Sequence, residues 1–231
     1  MDFAWIDDLT FLYYTANLVE ERFAENIRIH LVTFGVPIIS ISQKPMDFGD
    51  NICVGDIGVS IYNIYKQILI GAKEAKTKFV ACCEDDALYN WEHFRHRPPG
   101  EDTFSYNNNR WNVNKDLFFH RNRVNMSMCI APTELMISTL EKRFEKYPTP
   151  LIREKGELIG FGEPGRSERK LGLPIVKMEV FNTVIPTLVF NHRPSVGGVR
   201  KIIHKDEIKK GLRYWGEAEK LWETMWNGNI G

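Results

Sequence analysis

Glu84, Asp85 and Asp86 follow directly on Lys78-Phe79-Val80-Ala81-Cys82-Cys83, a run that reads as a buried strand delivering three acids to its C-terminal end. Adjacent carboxylates repel one another, and a divalent cation relieves that repulsion. Hard cations such as Mg²⁺ or Mn²⁺ prefer oxygen ligands and leave positions open for substrate phosphates. A solvated acidic turn is the other reading, since acids are usually exposed. The apolar strand before the triplet favours the first.

Three acids at a strand end need a sheet behind them, and the preceding residues supply its pattern. Thr10-Phe11-Leu12-Tyr13-Tyr14 is rich in β-favouring residues and stops at Thr15-Ala16-Asn17, which predicts a first strand ending in a loop. Leu18, Val19, Phe23, Ile27 and Leu31 then follow a helical period. A second strand is expected over Val36-Pro37-Ile38-Ile39-Ser40-Ile41, closed by Ser42-Gln43-Lys44-Pro45, with Pro37 at its start. A Gly/Asp-rich loop runs from Gly49 to Gly58, and Asp56 within it is a candidate cap for the next helix. That helix carries Ile61, Ile64, Tyr65, Ile68, Leu69, Ala72 and Ala75 as one stripe.

The resulting β-α-β-α-β order predicts a parallel sheet through right-handed crossovers. Ligands of open α/β sheets bind beyond the carboxyl ends of the strands. Thr15 to Asn17, Gln43-Lys44 and Glu84 to Asp86 are therefore expected to face one crevice.

After Pro98-Pro99-Gly100 the pattern shifts to short β-like pieces at Thr103–Tyr106, Trp111–Val113, Asp116–His120 and Val124–Ala131. A helix is expected from Pro132-Thr133 to about Tyr147. Residues 149–173 are rich in Gly, Pro and charge, so a mobile loop over a site is expected there. One more strand is read over Val184–Phe190, and a helical tail over Asp206–Trp226.

Length favours one domain over 1–231, divided by the change of pattern into a first half of about 1–100 and a second half with a C-terminal helix of about 101–231. Hydrophobic residues at 43% and charged residues at 26% disfavour disorder and fibrous classes. Lys+Arg and Asp+Glu both number 30, so no bulk attraction to nucleic acid or membrane is expected. Cys53, Cys82, Cys83 and Cys129 form no C-x-x-C pair and read as small buried hydrophobes in a reducing compartment. The acidic N-terminal segment does not match a secretory signal, and no apolar run reaches spanning length. A soluble, cytoplasmic protein is expected.

The layout, with a β-α-β-α-β half ending in the D-x-D-like Glu84-Asp85-Asp86, a mixed second half and a late histidine, resembles the GT-A class of metal-dependent glycosyltransferases. The likeness in layout covers Thr10 to about His192. Glu84-x-Asp86 departs from strict Asp-x-Asp by one methylene, which leaves open which acid touches the metal. The resemblance implies a Rossmann-like nucleotide-binding half on a mixed central sheet, followed by an acceptor half. It also implies that Asp86 binds Mn²⁺ or Mg²⁺ bridging the diphosphate of a nucleotide sugar, UDP-linked in our reading, with Glu84 and Asp85 assisting.

The late histidine of such enzymes corresponds to His192, in Phe190-Asn191-His192-Arg193-Pro194 before Gly197-Gly198, with His204 as substitute. His30, His93, His96 and His120 follow no late apolar strand. Thr15, Asn17, Gln43 and Lys44 are candidates for the donor's base and sugar, although Thr and Asn also end strands for local reasons. An inverting transfer needs a carboxylate to take the acceptor's proton. Glu163, within Gly160-Phe161-Gly162-Glu163-Pro164-Gly165, is the candidate; a retaining transfer needs none.

Basic residues between Arg193 and Arg213 are candidates to fold over a diphosphate, or form a solvated helical face. Arg110, Arg121 and Arg123 interleave with Tyr106, Trp111 and Phe119 as in single-strand nucleic-acid grooves. The acceptor could thus be a modified nucleobase of viral DNA. Two other functions compete. One is a sugar-nucleotide nucleotidyltransferase, which usually carries a Gly-rich basic loop after the first strand, unlike Thr15-Ala16-Asn17-Leu18. The other is a non-catalytic nucleic-acid-binding module, which leaves the acidic triplet unemployed.

Overall fold

The computed structural model describes residues 6–152, 158–159, 162–193, 201–203 and 206–228. In chain order the first part holds β1 (Leu9–Thr15), α1 (Glu21–Val32), β2 (Ile38–Ser42), β3 (Asp50–Cys53), α2 (Ile61–Glu74) and β4 (Phe79–Glu84). Next come β5 (Ala87–Leu88), α3 (Trp91–Arg95), β6 (Thr103–Asn107), β7 (Arg110–Asn114), β8 (Leu117–His120), β9 (Cys129–Pro132) and α4 (Thr133–Lys146). The remainder is β10 (Leu151–Ile152), β11 (Leu158–Ile159), α5 (Glu168–Leu171), β12 (Lys177–Phe181), β13 (Thr187–Phe190), β14 (Glu207–Lys209), β15 (Gly211–Leu212), β16 (Gly216–Glu217) and α6 (Ala218–Asn227).

The fold is mixed α/β and Rossmann-like. Its central sheet has seven strands in the order β12-β6-β9-β4-β1-β2-β3. β1 runs parallel to both β2 and β4, β2 runs parallel to β3, and β9 is antiparallel to β4 and β6. Alternation along β1 assigns the two faces. Phe11 and Tyr13 enter one core with Phe23, Ile27 and Leu31 of α1, while Leu12 and Tyr14 enter the other with Tyr62, Tyr65 and Ile68 of α2. Complete burial of Ile68 contributes about 1.5–3 kcal/mol by apolar transfer. α2 lies close on the sheet because Gly71 has no side chain; a Cβ there would collide with Ile41 Cδ1.

A second sheet, β14-β8-β7-β13-β5, packs into the α1-side core through Trp111, Val113, Phe118, Leu188 and Phe190. α6 closes the same core: Met225 is fully buried, and Asn26 of α1 donates to the carbonyls of Met225 and Gly228 at 3.0 and 3.1 Å.

Several expectations need correction. The Gly/Asp-rich loop contains β3, a polar edge strand, and leaves Cys53 exposed while Cys82, Cys83 and Cys129 are buried. Ser60, not Asp56, caps α2, accepting from the Asn63 N–H at 3.1 Å; the Asp56 carboxylate accepts from Gly58 N–H within its own turn. Residues 177–181 form an edge strand whose exposure hides it from a hydrophobic pattern. The tail forms β14 to β16 before α6 begins at Ala218, so its basic residues share no helical face.

Residues 162–171, within the expected mobile loop, are pinned. Tyr65 Oη donates to Gly162 O at 2.6 Å, Tyr106 Oη to Pro164 O at 2.9 Å, and the buried Arg143–Glu168 pair grips the same turn. Residues 153–157 and 160–161 lie outside the described residues, as do Gly197, Gly198, Arg200, His204 and Lys205. Among the described residues no helix is long and apolar enough to cross a membrane.

Candidate active site

The chain passes outward from β1 through β2 to β3, then returns by α2 to β4 on the other side of β1. The boundary between β1 and β4 is therefore a topological switch point, where the chain leaves the two strands toward opposite edges of the sheet, the place at which open α/β sheets bind ligands. Tyr14 lies in register with Glu84 at that boundary, so the acidic triplet emerges there.

Each acid finds a different partner. Tyr14 Oη donates to Glu84 Oε1 at 3.1 Å, and Thr15 Oγ1 donates to Asp85 Oδ2 at 2.5 Å. His192 Nε2 lies 3.0 Å from Asp86 Oδ2, within hydrogen-bonding distance. Asp86 and His192 are both buried. Burial lifts the Asp85 carboxyl to about 7, helped by the charge of Asp86 and opposed by the Thr15 hydrogen bond. Burial alone would lower the His192 imidazole. The hydrogen bond to Asp86 and the three neighbouring carboxylates outweigh that and raise it.

β5 and β13 bring this pair together. Ala87 and Leu88, immediately after the triplet, pair antiparallel with Val189 and Leu188, and Phe190 N–H donates to Asp86 O at 2.8 Å. His192 follows two residues beyond β13 and rests near Phe23 and Trp226, with ring centroids at 6.2 and 6.5 Å.

The donor-loop candidates also converge, but partly as struts. Asn17 sits at φ 54°, a region short polar residues tolerate, and its Oδ1 accepts from Gln43 N and Lys44 N at 2.8 and 2.9 Å. Gln43 Nε2 donates to Gly58 O at 3.0 Å, while Lys44 is exposed. Thr15 joins the triplet through Asp85. Three residues were not anticipated from the sequence: Tyr14, Gln67 and Tyr89. The buried Gln67 amide donates to Thr15 O and Ile41 O at 2.9 and 2.8 Å, tying the ends of β1 and β2, and Tyr89 Oη accepts from Glu84 N–H at 3.1 Å. A glutamine within the apolar stripe of α2 was the available signal for Gln67.

Glu163 pairs with Arg166 at 3.6 Å on the pinned turn, and its described contacts join it to that turn rather than to the triplet. The expected nucleic-acid groove does not form. Tyr106, Arg110, Trp111 and Phe119 are buried, and Arg121 is held by Asp206 at 2.9 and 2.7 Å, leaving Arg123 exposed without its aromatic neighbours. Arg110 donates through Nη1 to Asn112 Oδ1 at 3.1 Å within the sheet.

Among the described residues no group of three or more His, Cys, Asp or Glu side chains gathers as a ready-made metal cage. One oxygen and one nitrogen donor, Asp86 and His192, stand side by side. That set does not fit a closed structural site of four protein ligands, but it fits a hard cation that takes its remaining ligands from substrate and water.

No family model and no curated protein matches this chain. Among solved structures it is similar to a glycosyltransferase involved in the glycosylation of the major capsid of PBCV-1, with 9% identity, 78% of this chain and 91% of that chain covered, and a TM-score of 0.45. HddC from Yersinia pseudotuberculosis shows 10% identity, coverages of 78% and 92%, and a TM-score of 0.44. The bifunctional IspDF from Campylobacter jejuni shows 10% identity, coverages of 76% and 50%, and a TM-score of 0.42. At such values a functional assignment has to stand on the geometry of the site.

Proposed function

We propose that this protein is a metal-dependent glycosyltransferase that moves a sugar from a UDP-linked nucleotide sugar to an acceptor hydroxyl. The observation supporting this reading is the Asp86–His192 pair, 3.0 Å apart at the switch point of the sheet. Asp86 and His192 would hold Mn²⁺ or Mg²⁺. When bound, such an ion supplies Lewis-acid stabilisation of the charge that develops on a leaving diphosphate.

The remaining steps belong to the chain. Thr15 orients Asp85, Tyr14 orients Glu84, and the Asn17 strut fixes the loop from which Gln43 and Lys44 face the donor's base and sugar. In an inverting transfer, Glu163 takes the acceptor's proton. We read the two halves as one domain, because the central sheet draws β6, β9 and β12 from the second half. Three buried free thiols accord with a cytoplasmic, reducing environment.

Calorimetric titration of UDP with and without Mn²⁺ tests the reading. Binding that requires Mn²⁺ and is lost in Asp86→Ala supports it, and metal-indifferent UDP binding overturns it. A screen of sugar nucleotides for slow metal-dependent hydrolysis would then identify the donor. Release of pyrophosphate from a nucleoside triphosphate and a sugar phosphate would instead assign a nucleotidyltransferase.

A further inference from the structure

At the end of the second sheet opposite His192, the starts of the parallel strands β7 and β13 border a cavity of about 510 Å³. Pro186 at this end and His192 at the other are six residues apart, roughly 20 Å of extended chain. We propose that this cavity is a second binding site, which holds an acidic saccharide carrying carboxylates.

The walls are built rather than incidental. Glu92 accepts from Val184 N–H and Ile185 N–H at 2.7 and 3.0 Å, Asn90 donates to Ile185 O at 2.6 Å, and Trp215 Nε1 donates to Pro186 O at 2.8 Å. Trp111 Nε1 donates to Asn109 Oδ1 at 3.1 Å, and Asn109 in turn donates to Thr183 O at 2.8 Å. On this pinned backbone Val184 is 86% exposed, and Tyr214, in the turn between the paired β15 and β16, is 59% exposed. Apolar groups held open to water by a rigid frame form a preformed contact surface, and the volume lies in the range of small-ligand sites.

The charge is of one sign. Lys209 and Arg213 line the cavity and no described carboxylate does. Lys209 lies 4.7 Å above the Trp111 ring and is shared with Glu207, whereas Arg213 is exposed and has no ion pair among the described residues. A ligand that matches this lining has a flat, partly apolar ring for Tyr214, polar groups for Asn109 and an anion for the Arg213 fork. A hexuronate ring and a nucleotide both meet that description. The choice of the saccharide rests on the glycosyl-transfer reading, in which an extended acceptor needs a hold distant from the reacting sugar.

Calorimetry on the full chain with trigalacturonate, maltotriose and UMP tests the proposal. Trigalacturonate should bind at least tenfold more tightly than the neutral maltotriose, and Arg213→Gln and Tyr214→Ala should each weaken it tenfold or more. Both residues are exposed, so folding is preserved, and Mn²⁺–UDP binding at Asp86 should be unchanged in both variants. Equal binding of the acidic and neutral trimers, no binding of either, or UMP binding lost in the same two variants overturns the proposal. If trigalacturonate binds as expected while Mn²⁺–UDP does not, the transferase reading fails and the second site stands.

Discussion

His192 Nε2 lies 3.0 Å from Asp86 Oδ2 across a sequence separation of 106 residues. Both side chains are buried, and the contact joins the end of β13 to the turn after β4. Asp86→Ala is expected to lower turnover of the donor by roughly 10²–10³-fold, the usual loss when a charge stabiliser is removed from a reacting centre. His192→Ala should cost about tenfold to a hundredfold. Chelation of divalent cations should reproduce the Asp86→Ala loss in the unaltered protein, with recovery on adding Mn²⁺. Single-turnover assays of both variants over a Mn²⁺ series check this.

Gln67 joins β1 to β2 just behind the crevice, through the Thr15 and Ile41 carbonyls. Replacing it with Leu keeps the volume and leaves two buried acceptors without their donor. Unfolding free energy should drop by about 1–3 kcal/mol, measured by urea titration. UDP affinity should fall while its Mn²⁺ dependence persists, because the metal-binding pair is untouched.

The Arg143–Glu168 pair is fully buried and also holds Gly162 O and Gly165 N. Removing one member strands a charge. Arg143→Met or Glu168→Gln should destabilise by about 3–5 kcal/mol, whereas the double replacement by apolar residues should recover much of that loss. A double-mutant cycle in guanidinium reads the coupling, and a cycle that adds without coupling would show that the pair does not support the turn.

His93 predicts an acid limb to the stability curve. Its ring is fully buried, and burial, aided by the charge of nearby His96, lowers its pKa to about 3. The unfolded chain takes up this proton near the ordinary histidine value of about 6.5, while the folded chain resists it. Stability conferred by the neutral imidazole is therefore complete above about pH 6.5 and declines as pH falls toward 3, by up to about 1.4 kcal/mol per unit. His30, also lowered by burial, acts in the same direction. Urea midpoints at pH 7 and pH 5 should differ less in His93→Gln than in the unaltered chain.

The first half of the fold was largely legible in the sequence. β1, α1, β2, α2 and β4 lie within a few residues of the positions their apolar periods indicate, because each buries a repeated face against neighbours close in the chain. The second half was less so. β12 is mostly exposed, and β14 to β16 are two or three residues long, too short to carry a period. A helical reading of the tail rests on Leu212, Trp215, Leu221, Trp222 and Met225, of which the last three do belong to α6 while Leu212 lies in β15.

Composition and local pattern alone determined an α/β protein, acids at a strand end, and a late histidine after an apolar strand. Tertiary structure decided what those residues touch. The two-residue strand Ala87–Leu88 has no signature of its own, yet its pairing with β13 aligns His192 with Asp86. Long-range packing likewise buried Arg110 and Trp111 and left Tyr214 exposed. Periodicity reports which face of an element is apolar, whereas partnership depends on closing loops of a hundred residues, and no local pattern encodes that closure.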